Sequence, residues 1–345
     1  MNAANRSVLT IIVNFNVGKM VEQCISSLYA QSPGDFEHHI VVWENGSERT
    51  LSGRPLGSTW QAGRSTVCYL GGEGNHGYAR GVNAAYRSWR ESTGLQPSAV
   101  HCANPDTVSE PKALPRLLAA LTEFGWGAAA PVVTFDDGES RPAAYPPLTP
   151  LLVLTHFLRL GLMRRFGKRY PTSMAPREIR GAVDGAYIVI DHRAWDELKG
   201  LDGYFGISAD DHDVCQRLWA AGWKVGVVPS SRISHNGAAG RKESPLLSRL
   251  DEVQGYIRYV SKYYPRSLPV VRHGISTLLR LSRKPLSGEL AWWARNAPIQ
   301  IEPLSADMEE NFRRTLMSFS DPYAAVLASA LESEWSSRRP APMGA

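Results

Sequence analysis

The sequence predicts an α/β protein: one mainly parallel sheet flanked by helices, with a helical C-terminal extension. Three observations predict it. Short apolar, β-branched runs alternate with segments of helical periodicity up to about residue 110. Amide-rich turns follow those runs directly. Beyond about residue 240 the pattern turns helical and basic. Such alternation marks βαβ units, in which helices cover both faces of a parallel sheet and ligands bind at the strands' carboxyl ends.

The elements follow in order. Residues 7–14 are apolar and β-branched and read as a buried strand. Residues 19–30 carry Met20, Cys24, Ile25 and Leu28 at helical spacing, with a break near Pro33. Residues 39–43 and 65–70 read as the second and third strands, and 71–81 as a glycine-rich loop opening a helix that runs to about Trp89. A fourth strand at 99–102 is cut off by Asn104-Pro105-Asp106. A helix is expected at 111–127, a strand at 128–135, a proline-rich loop at 141–150 and a basic-edged helix at 155–166. Further strands fall at 182–190 and 223–228. Between them lies a helix at 210–222, on which Val214, Leu218 and Ala221 share a face. Residues 336–345 read as a frayed tail.

Composition narrows the classes. Hydrophobic residues at 43% and charged residues at 21% exclude wholesale disorder. No stretch approaches the roughly 20 apolar residues of a membrane span. The apolar run at 8–13 lacks a cleavage site, so a cytoplasmic protein is expected. Cys24, Cys68, Cys102 and Cys215 lie far apart with no CxxC pair, which predicts buried free thiols. The net charge is 38 − 33 = +5. Arg159, Arg164, Arg165, Lys168 and Arg169 form one basic cluster, and Arg280, Arg283 and Lys284 another. Aromatics are not interleaved with them as nucleic-acid binding requires, so no nucleic-acid partner is expected. An anionic membrane surface or a phosphorylated substrate suits them.

Gly72-Glu73-Gly74-Asn75-His76-Gly77 satisfies the G-x-G-x-x-G pattern, which makes an NAD-dependent enzyme one alternative. The pattern belongs at the first βα turn, however, and that turn here is Asn14-Phe15-Asn16. The amides and acids are more informative. Asn14, Asn16, Glu44, Asn45, Asn75, Asn104 and Asp106 fall at successive strand ends, which a parallel sheet gathers along one rim. Amides can read base edges and sugar hydroxyls. Asp106 is a hard oxygen ligand of the kind that, with phosphates, holds Mg²⁺ or Mn²⁺. Any one asparagine is ordinarily a turn cap; their recurrence points to a site. In Asp210-Asp211-His212-Asp213, three acids at a helix start exceed what capping requires, and an aspartate there is a candidate general base. His235 follows a strand in a polar loop and can reach a metal or a diphosphate.

In this order the residues resemble the inverting family 2 glycosyltransferases of the GT-A fold, and among them the bacterial rhamnosyltransferase-like branch. Residues 8–16 (VLTIIVNFN) are similar to S-I-I-I-V-N-Y-N, 41–47 (VVWENGS) to a strand ending in D-N-x-S, and 75–83 (NHGYARGVN) to N-x-G-F-A-x-G-x-N. Residues 104–107 (NPDT) look like N-P-D-T, this branch's form of the metal-binding D-x-D, and 210–218 (DDHDVCQRL) like E-D-x-D-L-C-x-R-L. Glu44 stands where the pattern has aspartate, Asp210 where it has glutamate, and His192-Arg193 where it has two arginines.

The resemblance implies a donor-binding half over 1–110, an acceptor-binding half over 111–240 and a helical extension over 241–345. It implies a nucleotide-sugar donor, dTDP-rhamnose first and UDP- or GDP-sugars as alternatives, and a glycan or lipid-linked glycan acceptor. Asn14, Asn16, Glu44 and Asn45 would hold the nucleoside, and Asn75 and Asn83 would order the loop above it. Asn104, Asp184 and Asp210 would contact substrate. Asp106 and His235 would hold Mg²⁺ or Mn²⁺, and Asp211 would be the base. A non-catalytic nucleotide- or glycan-binding protein is the other alternative, although it has no need of Asp106 and Asp211 together.

Overall fold

The computed structural model describes residues 7–30, 36–47, 51, 53–72, 74–134, 143–158, 167, 169, 174–236, 245–282, 284–299 and 308–336. β1 (Ser7–Asn14) lies parallel between β2 (Glu37–Asn45) and β5 (Ala99–Ala103). β4 (Ser65–Gly72) adds in parallel to β2, and β3 (Thr59–Ala62) closes that edge antiparallel. On the other flank β11 (Tyr187–Asp191) runs antiparallel to both β5 and β7 (Ala128–Thr134). β12 (Val225–His235) pairs in parallel with β7, and β6 (Thr107–Ser109) and β9 (Arg177–Ile179) pair antiparallel with β12. The order is β3-β4-β2-β1-β5-β11-β7-β12-β6. β4, β2, β1, β5, β7 and β12 therefore point one way, and their carboxyl ends share a rim. β11 alone among the central strands is reversed, which brings its beginning to that rim.

Strand alternation sends side chains to opposite faces. Leu9, Ile11 and Val13 of β1 meet Ala79, Val82, Ala85 and Trp89 of α2 (Tyr78–Thr93). Val8 and Ile12 meet Val21, Cys24 and Leu28 of α1 (Gly18–Tyr29), with Leu114, Leu117 and Leu121 of α3 (Ala113–Phe124) on the same face. Each fully buried Leu or Ile contributes about 1.5–3 kcal/mol. A third core joins α4 (Pro150–Phe157) to the C-terminal helices: α7 (Pro245–Tyr263), α8 (Leu268–Leu281), α9 (Ser287–Asn296), α10 (Met308–Met317) and α11 (Pro322–Ser336). Phe205 and Ala209 belong to that same core. The extension is thus packed on the sheet domain rather than appended to it. No helix among the described residues is long and apolar enough to cross a membrane.

The mainly parallel sheet and the helical C-terminal region agree with the expectation. Several boundaries do not. The strand expected at 182–190 is two: β10 (Ala182–Val183), paired with β8 (Ala144–Tyr145), and β11. Asp184 Oδ1 accepts from Ala186 N at 3.0 Å, an Asx turn that breaks the run. The helix expected at 155–166 begins instead at Pro150, where Thr149 Oγ1 accepts from Leu152 N; residues 159–166 lie outside the described ones, as do Arg283 and most of the tail. Of the first basic cluster only Arg169 is described. α2 starts at Tyr78, so Gly81 lies within the helix. β3, β6, β9 and α5 (His192–Leu198) are too short to leave a period in the sequence.

Candidate active site at the carboxyl rim of the sheet

Asn14 ends β1 and Glu44 and Asn45 end β2, side by side in the parallel register. Glu44 is buried and both its oxygens are engaged. Oε2 accepts from Asn14 Nδ2 at 2.7 Å and from the Tyr69 hydroxyl at 2.5 Å; Oε1 accepts from Ser47 N at 3.1 Å and from Ser47 Oγ. Asn16, in the left-handed region at φ 59°, donates its N–H to Ser47 Oγ at 3.0 Å. Asparagine tolerates that conformation better than most residues. Asn45 Nδ2 donates to Asn75 Oδ1 at 2.8 Å, and Asn75 Oδ1 also accepts from Gly77 N at 2.9 Å. The glycine loop is thereby tied to β2. Gly46, at φ +76°, passes so close to Gly74 that a Cβ would lie 2.5 Å from its carbonyl carbon. The amides and Glu44 thus build one rigid wall of the cleft.

The opposite wall holds Asp106, Asn104 and His235. β6 pairs with β12 so that His235 lies opposite Thr107. His235 Nε2 is 3.1 Å from Asp106 Oδ1 and 3.5 Å from Asn104 Nδ2. Asn236 N donates to the Asp106 carbonyl at 3.1 Å. His235 Nδ1 is buried without a hydrogen-bond partner among the described residues, while the Asp106 carboxylate favours a proton on Nε2; with the proton moved to Nδ1, Nε2 is free to act as a ligand. Adjacent ligands of an octahedral ion with bonds of about 2.1 Å sit about 3 Å apart, and the Asp106–His235 spacing fits that edge. No group of three or more His, Cys, Asp or Glu converges among the described residues. The pair therefore fits a cation completed by ligand phosphates and water, as Mg²⁺ and Mn²⁺ sites commonly are.

The reversed strand supplies the third part. Asn104 N donates to Ala186 O at 2.7 Å, which ties the 184–186 turn to the Asp106 loop. Asp211 lies against that turn: a Cβ on Gly185 would meet Asp211 Cβ at 2.8 Å, so only glycine fits there. Asp211 opens α6 (Asp210–Ala220) and its Oδ1 accepts from His212 N at 2.7 Å. Burial raises the Asp211 pKa above the ordinary carboxylate range; His212 opposes the shift and the charge of Asp184 reinforces it. Asp210 is raised further, by burial and then by the charge of Asp211. The buried Tyr78 hydroxyl is also pushed up, first by burial, with Asp210 and Asp106 among the charges that add to it. Both aspartates thus act on one phenol at the head of α2.

One expected role changes and one feature escaped sequence reasoning. Asn83, expected to order the glycine-rich loop with Asn75, instead bonds both ways with the Leu201 backbone, at 2.7 and 3.0 Å, and so orders the 198–207 segment from within α2. Asp213, with its side chain 1% exposed, accepts from Arg217 Nε at 2.7 Å, Lys262 Nζ at 2.5 Å and the Tyr263 hydroxyl at 2.6 Å. The i,i+4 spacing of Asp213 and Arg217 was a readable signal; Lys262, from α7, was not.

The family described as Glycosyltransferase like family 2 matches residues 5–250. N-acetylglucosaminyl-diphospho-decaprenol L-rhamnosyltransferase from two strains of Mycobacterium tuberculosis is 24% identical over 68% of this chain and 78% of its own. Among solved structures, GalNAc-T7 with UDP, GalNAc and Mn²⁺ superposes with a TM-score of 0.51 at 14% identity, covering 97% of this chain and 58% of that one. The mannosyltransferase PcManGT from Pyrobaculum calidifontis, in complex with GDP-Man and Mn²⁺, gives 0.48 at 14% identity, over 95% of this chain and 80% of that one. With the family match running through both walls of the cleft, the chain belongs to glycosyltransferase family 2 and is a glycosyltransferase.

Proposed function

We propose that the protein moves a sugar from a nucleotide donor to a hydroxyl of a lipid-linked or growing surface glycan, with inversion at the anomeric carbon. Rhamnose from dTDP-rhamnose is the preferred donor, supported by the name of the mycobacterial relative; UDP- and GDP-sugars are the alternatives. The observation that carries this reading is the reversal of β11. It sets Asp211 and the Asp184–Gly185 turn on the same rim as Asp106 and His235.

The nucleoside lies against the wall of Asn14, Asn16, Glu44 and Asn45, below the glycine-rich loop held by Asn75, while Asn83 orders the neighbouring 198–207 segment. Since Glu44 already accepts four hydrogen bonds, its part is to order the wall. Asp106 and His235 hold Mg²⁺ or Mn²⁺, which supplies charge neutralisation for the departing diphosphate. Asn104, Asp184 and Asp210 line the space where sugar and acceptor meet. Asp211 takes the proton from the acceptor hydroxyl as that oxygen attacks the anomeric carbon. The bond from carbon to diphosphate breaks on the far side, and one displacement inverts the configuration. The raised pKa makes Asp211 a stronger base than an exposed aspartate.

Calorimetry with dTDP-, UDP- and GDP-sugars, each with Mn²⁺ and with EDTA, tests this. One nucleotide should bind with metal and be lost in Asp106→Ala. Asp211→Asn should still bind it while turnover falls about 10²–10⁴-fold. Near wild-type turnover in Asp211→Asn would remove the assignment of the base, and absence of nucleotide binding would remove the donor site.

A further inference from the structure

A cavity of about 180 Å³ lies beside α6, between α7 and the β8–β10 ribbon. His212, Gln216 and Trp219 line it from one face of α6, at i, i+4 and i+7. Tyr259 of α7 and Leu148 form an apolar floor, and Arg180 stands at the mouth with its guanidinium 5.1 Å from the Trp219 ring centroid. The His212 residue is 6% exposed, yet its imidazole makes no hydrogen bond to a described residue; its ring neighbours are Tyr145 and Tyr259. The Gln216 amide makes none either, and Arg180 forms no ion pair with a described residue. His212 is buried, Gln216 half-buried and Arg180 exposed, so three uncommitted polar side chains run from the interior to the mouth of an apolar-floored cavity, which suits a ligand that brings its own donors and acceptors.

The cavity adjoins the proposed chemistry through both its walls. His212 follows Asp211 on α6, and Gly181 is three residues from Asp184, about 10 Å along an extended chain. Trp219 Nε1 donates to Gly181 O at 3.3 Å, joining the two walls at the far end. We infer that this cavity is an acceptor subsite, taking a neutral sugar ring of the acceptor that lies beyond the ring bearing the attacked hydroxyl. The ring stacks on the Tyr259–Leu148 floor beside Trp219, while its hydroxyls meet His212, Gln216 and Arg180. The inference rests on the glycosyl-transfer reading above and adds to it the length of acceptor that the enzyme recognises.

Free N-acetylglucosamine and methyl rhamnoside are the probes, titrated into full-length protein carrying ¹⁵N-labelled tryptophan. The Trp219 indole signal is assigned with Trp219→Phe. Expected is a saturable shift of that signal with a millimolar midpoint for one of the sugars. Gln216→Leu and Arg180→Met, at positions that are not fully buried, should each weaken it about tenfold, the worth of roughly one hydrogen bond. A silent Trp219 signal at about 100 mM sugar, a hundredfold above a millimolar Kd, would overturn the subsite. So would a shift of equal midpoint in both variants. Nucleotide binding in the same sample separates the two readings. Nucleotide bound with Trp219 silent overturns the subsite alone, and neither bound overturns both. A Trp219 shift without nucleotide binding supports a sugar site while removing the donor site.

Discussion

Asp211 shows how one side chain's chemistry is set by what touches it. A carboxylate at a helix start is ordinarily stabilised by the helix dipole, which lowers its pKa. Here burial against the Gly185 turn prevails and Asp184 adds a like charge, so the pKa rises. If Asp211 is the base, kcat/KM should fall on the acid side at a pH above the ordinary aspartate value of about 3.9. Asp184→Asn should move that limb to lower pH, because removing the negative neighbour eases ionisation; a pH–rate profile measures it. His38 and His101 illustrate the opposite sign. Both are buried around Thr10 Oγ1, at 2.8 and 2.9 Å. Burial lowers His38 to about 3 and His101 well below its usual value. Their neutral forms are favoured in the fold, so the unfolded chain binds more protons below pH about 6.5. Stability should therefore be full above that pH and decline as pH falls toward 3, read as a falling Tm.

At the scale of elements, α6 is the part to watch. It begins at Ala209, a left-handed residue at φ 67° with no side-chain cap, so its first turn is held by tertiary contacts. Asp213 provides them by gathering Arg217, Lys262 and Tyr263, while Arg217 also reaches the carbonyls of Leu198 and Gly200. The 198–207 segment is held from the other side by Asn83 and by Arg80, whose Nε donates to Gly203 O. The segment thus ties the helix under the glycine loop to the helix carrying Asp211. Asp213→Asn should cost about 3 kcal/mol, the low end for a broken buried pair because Lys262 and Arg217 keep partial exposure. Chemical denaturation measures that cost. Turnover should fall more than nucleotide affinity, since Asp213 bonds Arg217, Lys262 and Tyr263 rather than the wall of Asn14, Glu44 and Asn45.

For the molecule as a whole, the C-terminal helices matter because they share a core with α4, Phe205 and Ala209. They also carry exposed apolar side chains: Val270 and Leu281 on α8, beside Leu151 and Leu158 of α4. α8 packs in parallel with α4 near Leu154 and Gly274, and the exposed Arg266, Arg280 and Lys284 lie around it. Apolar side chains ringed by cations suit an anionic bilayer surface, where a lipid-linked acceptor would be met. Co-sedimentation with phosphatidylserine vesicles should be strong at low salt and weaken as salt rises. Neutral vesicles should bind less, and an absence of binding to anionic vesicles would remove the membrane from the reading.

The sequence by itself determined the strand-and-helix order, the family resemblance and the rim of Asn14, Glu44, Asn45, Asn104 and Asp106. These are legible because strand ends are local: an apolar run stops and a polar turn follows. Only the tertiary structure decided which distant groups meet. His235 reaches Asp106 through a strand pairing, Asp211 reaches the rim because β11 is reversed, and Lys262 reaches Asp213 from another core. Spacing along the chain carries no record of such pairings, which arise from how sheets and helices bury their apolar faces together. The two-residue β10 and the Asx turn at Asp184 were hidden for a related reason. A single side-chain hydrogen bond broke an apolar run that reads as one strand, and that turn carries Asp184 and Gly185 to Asp211.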